Sequence, residues 1–258
     1  SGKVFASVNS ERLYFGSPVI GNVNNGTLKI DNSNVYFNST SFDFTNGSTL
    51  NTVGGSEVEF KALSFDNSLM TLGNNSTVTA TDLDLDAAYI TLGSGAKINA
   101  SFLTVKGNGS PTILSGGRNN ASINVEGVII ESGATFRQEG SSRVNGGSDL
   151  VLRPDATLSI NEDSVFIVKA ISGSPDATQT RTVDVNTGGT FFLENGLTGL
   201  GRNIAFDVDG TSFLRVGSNG LLELGYGYVS AGLSVPSLGE ISVQNDGQID
   251  IDGKFSGK

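Results

Sequence analysis

Cysteine, histidine and tryptophan are all missing from the 258 residues, and methionine occurs once. Without thiols the chain can form no disulfide, iron–sulfur cluster or zinc–thiolate site. Without histidine it lacks the commonest general base and transition-metal ligand, which excludes chemistry of the Ser-His-Asp type. Proline is scarce, at 5 residues, and no run approaches the ~20 apolar residues of a membrane helix, so direct membrane insertion of this segment is not expected. The first ten residues, SGKVFASVNS, have no apolar signal core; if the protein is exported, its signal has been removed. Only 16 basic residues face 26 acidic ones, for a net charge of −10. Phosphate backbones and anionic membranes are therefore repelled overall, and nucleic acid is not an expected partner. No cofactor is expected.

Glycine, by contrast, is abundant, with 35 residues, and apolar residues still make up 37%. That balance is too apolar for a disordered tail and too rich in turn formers for helices. A repeat explains it. Val58-Glu59-Phe60-Lys61-Ala62-Leu63-Ser64-Phe65 returns 20 residues later as Val78-Thr79-Ala80-Thr81-Asp82-Leu83-Asp84-Leu85. It returns after another 20 as Ile98-Asn99-Ala100-Ser101-Phe102-Leu103-Thr104-Val105, and after 25 more as Ile123-Asn124-Val125-Glu126-Gly127-Val128-Ile129-Ile130. The extra five residues are expected as a loop in the polar stretch 107–120.

Apolar residues fall at the first, third, sixth and eighth places of each copy, which describes two short strands of period 2 separated by a corner. A third strand precedes them: Leu69-Met70-Thr71-Leu72-Gly73 matches Tyr89-Ile90-Thr91-Leu92-Gly93, and Leu50-Asn51-Thr52-Val53-Gly54 is a weaker relative. Three strands per coil, each pairing in parallel with its equivalent one coil away, predict an all-β, right-handed parallel β-helix. Residues 1–258 form one such domain, most regular over 45–132 and expected to hold about ten to twelve coils, a rod of ~50 Å at ~4.8 Å per coil. Leu63, Leu83, Leu103 and Val128 should stack as one inward column, and Phe65, Leu85, Val105 and Ile130 as its neighbour. Met70 should meet Ile90, and Leu72 should meet Leu92. One coil cannot bury its own apolar side, so stability comes from adjacent pairs.

Val35-Tyr36-Phe37 with Phe42-Asp43-Phe44 reads as an earlier coil. Later coils start at Gly133-Ala134-Thr135-Phe136, Asp155-Ala156-Thr157-Leu158, Gly189-Thr190-Phe191-Phe192, Gly220-Leu221-Leu222-Glu223 and Gly247-Gln248-Ile249-Asp250. Longer corners are expected at 172–182 and 225–239. The unit seen in 133–136 and 155–158, a turn with Gly or Asp, a small residue and then alternating apolar residues, resembles the passenger domains of autotransporters and related type V secreted adhesins of Gram-negative bacteria, of the AIDA-like and pertactin-like kind. The resemblance implies a secreted protein held at the bacterial cell surface. It also implies an excised passenger, because the chain ends in Lys254-Phe255-Ser256-Gly257-Lys258 and carries no translocator barrel.

Carboxylate chemistry is the catalytic option that composition leaves, since β-helix enzymes that attack polysaccharides use outward acids. Asp82, Asp84 and Asp86, then Asp207 with Asp209 and Asp250 with Asp252, alternate with inward residues such as Leu83, Leu85, Val208 and Ile251. A plain solvated strand has the same pattern, and that reading is preferred. Calcium held by neighbouring carboxylates is a third option, although the Gly-Gly-x-Gly-x-Asp nonapeptide is missing. Asn-x-Ser/Thr triplets begin at Asn25, Asn38, Asn46, Asn74, Asn75, Asn99, Asn108 and Asn120; a chain so rich in these residues produces them by chance. Gly116-Gly117 and Gly146-Gly147 read as turn punctuation.

Tyr226 and Tyr228, between glycines, are candidate binding residues on an exposed loop; the competing reading is that both cap the core at a wide corner. The expected function is a non-catalytic surface-displayed adhesin or adhesin stalk. Its partners would be a host matrix protein, a surface glycan or another copy of itself. The alternatives are a polysaccharide-degrading lyase or tailspike-like glycosidase on the same scaffold, and an inert structural spacer or surface-layer component.

Overall fold

The computed structural model describes nearly all of residues 21–173 and 181–193, and outside these mainly the backbones of further strands. The described chain is a parallel β-solenoid in which no helix occurs. Seven consecutive turns, from Thr27 to Gly173, have all three strands. The first face holds Thr27–Asp31, Thr49–Val53, Leu69–Leu72, Tyr89–Leu92, Thr112–Gly116, Thr135–Gly140 and Thr157–Ile160, each paired in parallel with the next. The second and third faces belong to one sheet, because Thr77–Asp86, Lys97–Lys106 and Ser122–Ile130 run through the corner between them unbroken.

Each corner has a local cause. Asn25, Asn32, Asn46, Asn67, Asn75, Asn120, Asp155 and Asp163 all adopt φ between 45° and 62°, the left-handed region that short polar side chains tolerate better than other non-glycine residues. Four of the Asn-x-Ser/Thr triplets thus begin at residues whose asparagine makes a turn. In most corners the next residue is small and buried, as in Asn32-Ser33, Asn67-Ser68, Asn75-Ser76 and Asp155-Ala156. Several of these serines cap the bend: Ser56 Oγ donates to the Val53 carbonyl at 2.6 Å, and Ser68 Oγ to that of Asp66 at 2.8 Å. Corners also bond from coil to coil, as Gly47 N to Asn67 O at 2.8 Å and Asn67 N to Asp86 O at 2.9 Å.

Ala87 is the exception, with φ 47° and neither a glycine's freedom nor a polar side chain. It occupies the place that Asn67 holds one turn earlier, since Asp86 pairs with Asp66. Replacing it by Asn or Gly should relieve the left-handed cost and raise unfolding free energy by ~1 kcal/mol. Denaturant titration checks this, and unchanged stability in both variants would show the corner to be unstrained.

The core follows the predicted columns. Leu83 pairs with Leu63 and Leu103, and Leu103 with Val128; Leu85 pairs with Phe65 and Val105, and Val105 with Ile130. Met70 meets Ile90, and Leu72 meets Leu92. The expected earlier coil is present too, with Val35 over Val58 and Phe44 over Phe65. Aromatic rings stack where the column is aromatic: Phe37 lies 5.0 Å from Phe15 and 4.8 Å from Phe60, and Phe44 lies 4.7 Å from Phe65, all within 6° of parallel.

Several expectations are corrected. The weaker relative is shifted by one residue: Met70 pairs with Leu50, and Leu72 with Thr52. Thr52 is therefore buried and Val53 exposed, since a shift of one exchanges the two faces of a strand. The stretch 107–120 is not a simple loop, because it contains the first-face strand Thr112–Gly116. Tyr89 pairs with Ile113, an offset of 24, and Ile98 with Ile123, an offset of 25. Four of the five extra residues thus widen the corner before that strand and one the corner after it. The later Gly- and Asp-anchored starts are not equivalent either: Thr135–Gly140 and Thr157–Ile160 lie on the first face, whereas Thr190–Leu193 pairs with Val165–Val168 on the second. Gly116 and Gly146 lie in strands and not in turns. A Cβ on Gly116 would stand 2.3 Å from Ser142 Cβ, and one on Gly146 2.7 Å from Val168 Cγ1. Both mark close packing.

Candidate functional site

The outward side of the second face carries two straight columns of side chains, because parallel pairing in register places each outward residue over its counterpart. One runs Asn34, Glu57, Thr77, Lys97, Ser122 and Arg143. The other runs Tyr36, Glu59, Thr79, Asn99, Asn124, Asn145 and Ile167. Two open depressions lie on this face. A lower groove of ≈ 500 Å³ is lined by Asn34, Tyr36, Glu57, Glu59, Thr77 and Thr79. An upper groove of ≈ 530 Å³ is lined chiefly by Asn124, Glu126, Arg143, Asn145, Gly147 and Lys169.

The upper groove is held in shape by an amide ladder. Asn124 Nδ2 donates to Asn99 Oδ1 at 3.0 Å, and Asn145 Nδ2 donates to Asn124 Oδ1 at 2.7 Å. Arg143 Nε donates to Asn145 Oδ1 at 2.6 Å, which lays the guanidinium along the ladder. Beside it, at the corner into the third face, Phe102 is 47% exposed and packs over Gly127. A Cβ on Gly127 would meet the ring at 3.2 Å. That these residues face outward was legible from the period of 2. The grooves were not, because they are shaped by residues of several turns together.

The acids singled out in the sequence are placed on the third face and at its corner. Asp82 is exposed, whereas Asp84 and Asp86 are half-buried. Asp84 accepts from Lys106 Nζ at 2.7 Å. Asp86 departs from the solvated-face expectation, since its Oδ1 is enclosed and has no hydrogen-bond partner. Burial raises its pKa above the ordinary carboxylate value, the neighbouring Asp66 charge raises it further, and Lys106 partly offsets both. Folded Asp86 therefore holds its proton to higher pH than the unfolded chain does. As pH rises through that interval, starting near the usual carboxylate value of ~4, ionisation of this group removes stability. Asp86→Asn should be more stable than the native chain at pH 7, and the gain should vanish below pH ~3.5. Urea titrations at both pH values test it; a less stable variant at pH 7 would mean that the attraction of Lys106 dominates.

Among the described residues, no group of three or more carboxylates is placed to hold a metal. Asp207 and Asp250 lie in strands whose side chains are outside the description, and Asp209 and Asp252 lie outside the described residues. The same holds for Tyr226 and Tyr228. Of 225–239, only the backbone of the short antiparallel pair Val229–Ser230 and Leu233–Ser234 is described; of 172–182, only the two ends are. Sequence reasoning missed Arg181, a fully buried arginine whose Nε donates to the Leu152 carbonyl at 2.9 Å. It also missed buried Gln138, whose Nε2 donates to Ser142 O at 2.9 Å. Both stand at inward places where the period calls for an apolar residue, which is the only signal the sequence offers. No protein-family model, curated protein or solved structure matches the chain.

Proposed function

We propose that this chain is a right-handed β-helical rod of ten to twelve coils that serves as a non-catalytic adhesin or adhesin stalk on a bacterial cell surface, exported as part of an autotransporter-like passenger. Right-handed winding is the hand that parallel crossovers almost always take. The eleven strands paired along the first face support the coil count. The adhesin reading rests on one observation: the second face presents two long outward columns of Asn, Thr, Glu, Lys and Arg with two open grooves. Such a surface makes many individually weak polar contacts along a partner, and display of many copies turns these into firm attachment. The partner is a surface glycan, a host matrix protein or another copy of the rod.

Beads coated with the protein should clump or bind a matrix-protein or glycan array, while the protein in solution at micromolar concentration shows only weak binding. Beads that do neither would make the chain an inert spacer. Release of reducing ends from a bound polysaccharide would make it an enzyme.

A further inference from the structure

We infer that the upper groove of the second face binds a linear acidic polysaccharide, one bearing carboxylates on its sugars, laid along the axis of the rod. The inference rests on the adhesin reading and names the chemistry of its partner. Its starting point is the pairing of cations. Lys29 pairs with Asp31, Lys106 with Asp84, Arg137 with Glu139 and Arg153 with Glu131, at 2.7–3.7 Å. Among the described residues, Lys61, Lys97, Arg143 and Lys169 have no such carboxylate; Arg143 and Lys169 line the upper groove, together with Glu126. In a chain of net charge −10, two of these four cations, Arg143 and Lys169, share one groove and Lys97 lies in the column of Arg143, whereas Lys61 lines neither groove.

Their spacing suits a chain of sugars. Lys97 and Arg143 occupy one column two turns apart, with Ser122 between them, and parallel turns advance by ~4.8 Å. That advance is close to the rise of one pyranose in an extended linear chain, so carboxylates two sugars apart would meet Lys97 and Arg143 in turn. The Asn99–Asn124–Asn145 ladder runs alongside with half-exposed amides that can donate to and accept from ring hydroxyls. Glu126 accepts from hydroxyls and disfavours polymers as densely charged as nucleic acid. Phe102 at the neighbouring corner supplies an apolar plane against which a sugar ring can lie.

Affinity electrophoresis of the full chain in gels containing polygalacturonate tests the inference. The native protein should be retarded, and fully methyl-esterified polygalacturonate, which lacks the charges, should not retard it. Arg143→Gln with Lys169→Gln should weaken binding at least about tenfold, as loss of charge-assisted hydrogen bonds implies. Lys29→Gln with Lys61→Gln makes the same change in net charge away from the groove and should leave binding within about twofold. Both pairs are exposed or half-exposed, so folding should be preserved, and unchanged melting confirms it. Equal losses in the two double variants, equal binding of the esterified polymer, or no retardation of the native chain would each overturn the inference. Coated beads that still attached to other surfaces would then leave the adhesin reading standing.

Discussion

Leu83→Asp should unfold or aggregate the protein at temperatures where the native chain is stable, and Leu103→Asp should do the same. Both leucines are fully buried and stacked in one column, with Leu63 below and Val128 above. The aspartate would lie between apolar layers with no cation to meet it, at a cost of several kcal/mol. Because each turn is stabilised mainly by its neighbours, the damage should spread to the adjoining turns. Leu83→Met, which keeps volume and polarity, should cost less than ~1.5 kcal/mol. Chemical denaturation of the three variants decides it: near-native stability of both aspartate variants would refute the register.

Gly140→Ala should cost about 2–4 kcal/mol, from left-handed strain and a close contact together. Gly140 has φ 66°, and a Cβ there would stand 2.6 Å from the carbonyl oxygen of Gly116, its partner one turn earlier. Neither side can yield easily, because Gly116 is itself pressed against Ser142 and the Gly140 carbonyl accepts from Ser164 Oγ. Gly47→Ala is the comparison: φ is 74°, but nothing lies within 4 Å of the added carbon. It should show only the conformational share, ~1–2 kcal/mol. Equal losses at the two sites would mean that the contact at Gly140 relaxes without cost.

The amino-acid sequence by itself determined that the chain winds into three-stranded parallel coils, and it determined which residues stack. Inward places accept only apolar side chains, so 58–65, 78–85, 98–105 and 123–130 align on that demand alone, and Leu83 finds Leu63 and Leu103 whatever happens at the corners. The turn formers reported the corners for an equally local reason, the tolerance of Asn, Asp and Gly for positive φ. Where the local signal weakened, the reading slipped by one residue. At 49–53 the inward place is taken by Thr52, and Val53, the more apolar of the two, faces out. Only the neighbouring turn, with Leu72 over Thr52, decides that register.

Tertiary structure alone decided the outer surface. Outward residues obey no apolar rule, so nothing in the sequence places Lys97 and Arg143 in one column or brings Lys169 to the same groove. That arrangement follows from offsets accumulated over several corners, four residues before Thr112 and one after Gly116. The charges that act on Asp86 likewise come from Asp66 and Lys106, each 20 residues away along the chain and one turn away in space. Inward contacts are set by a requirement that each residue carries with it, whereas outward ones are set by how far every earlier corner has advanced the chain.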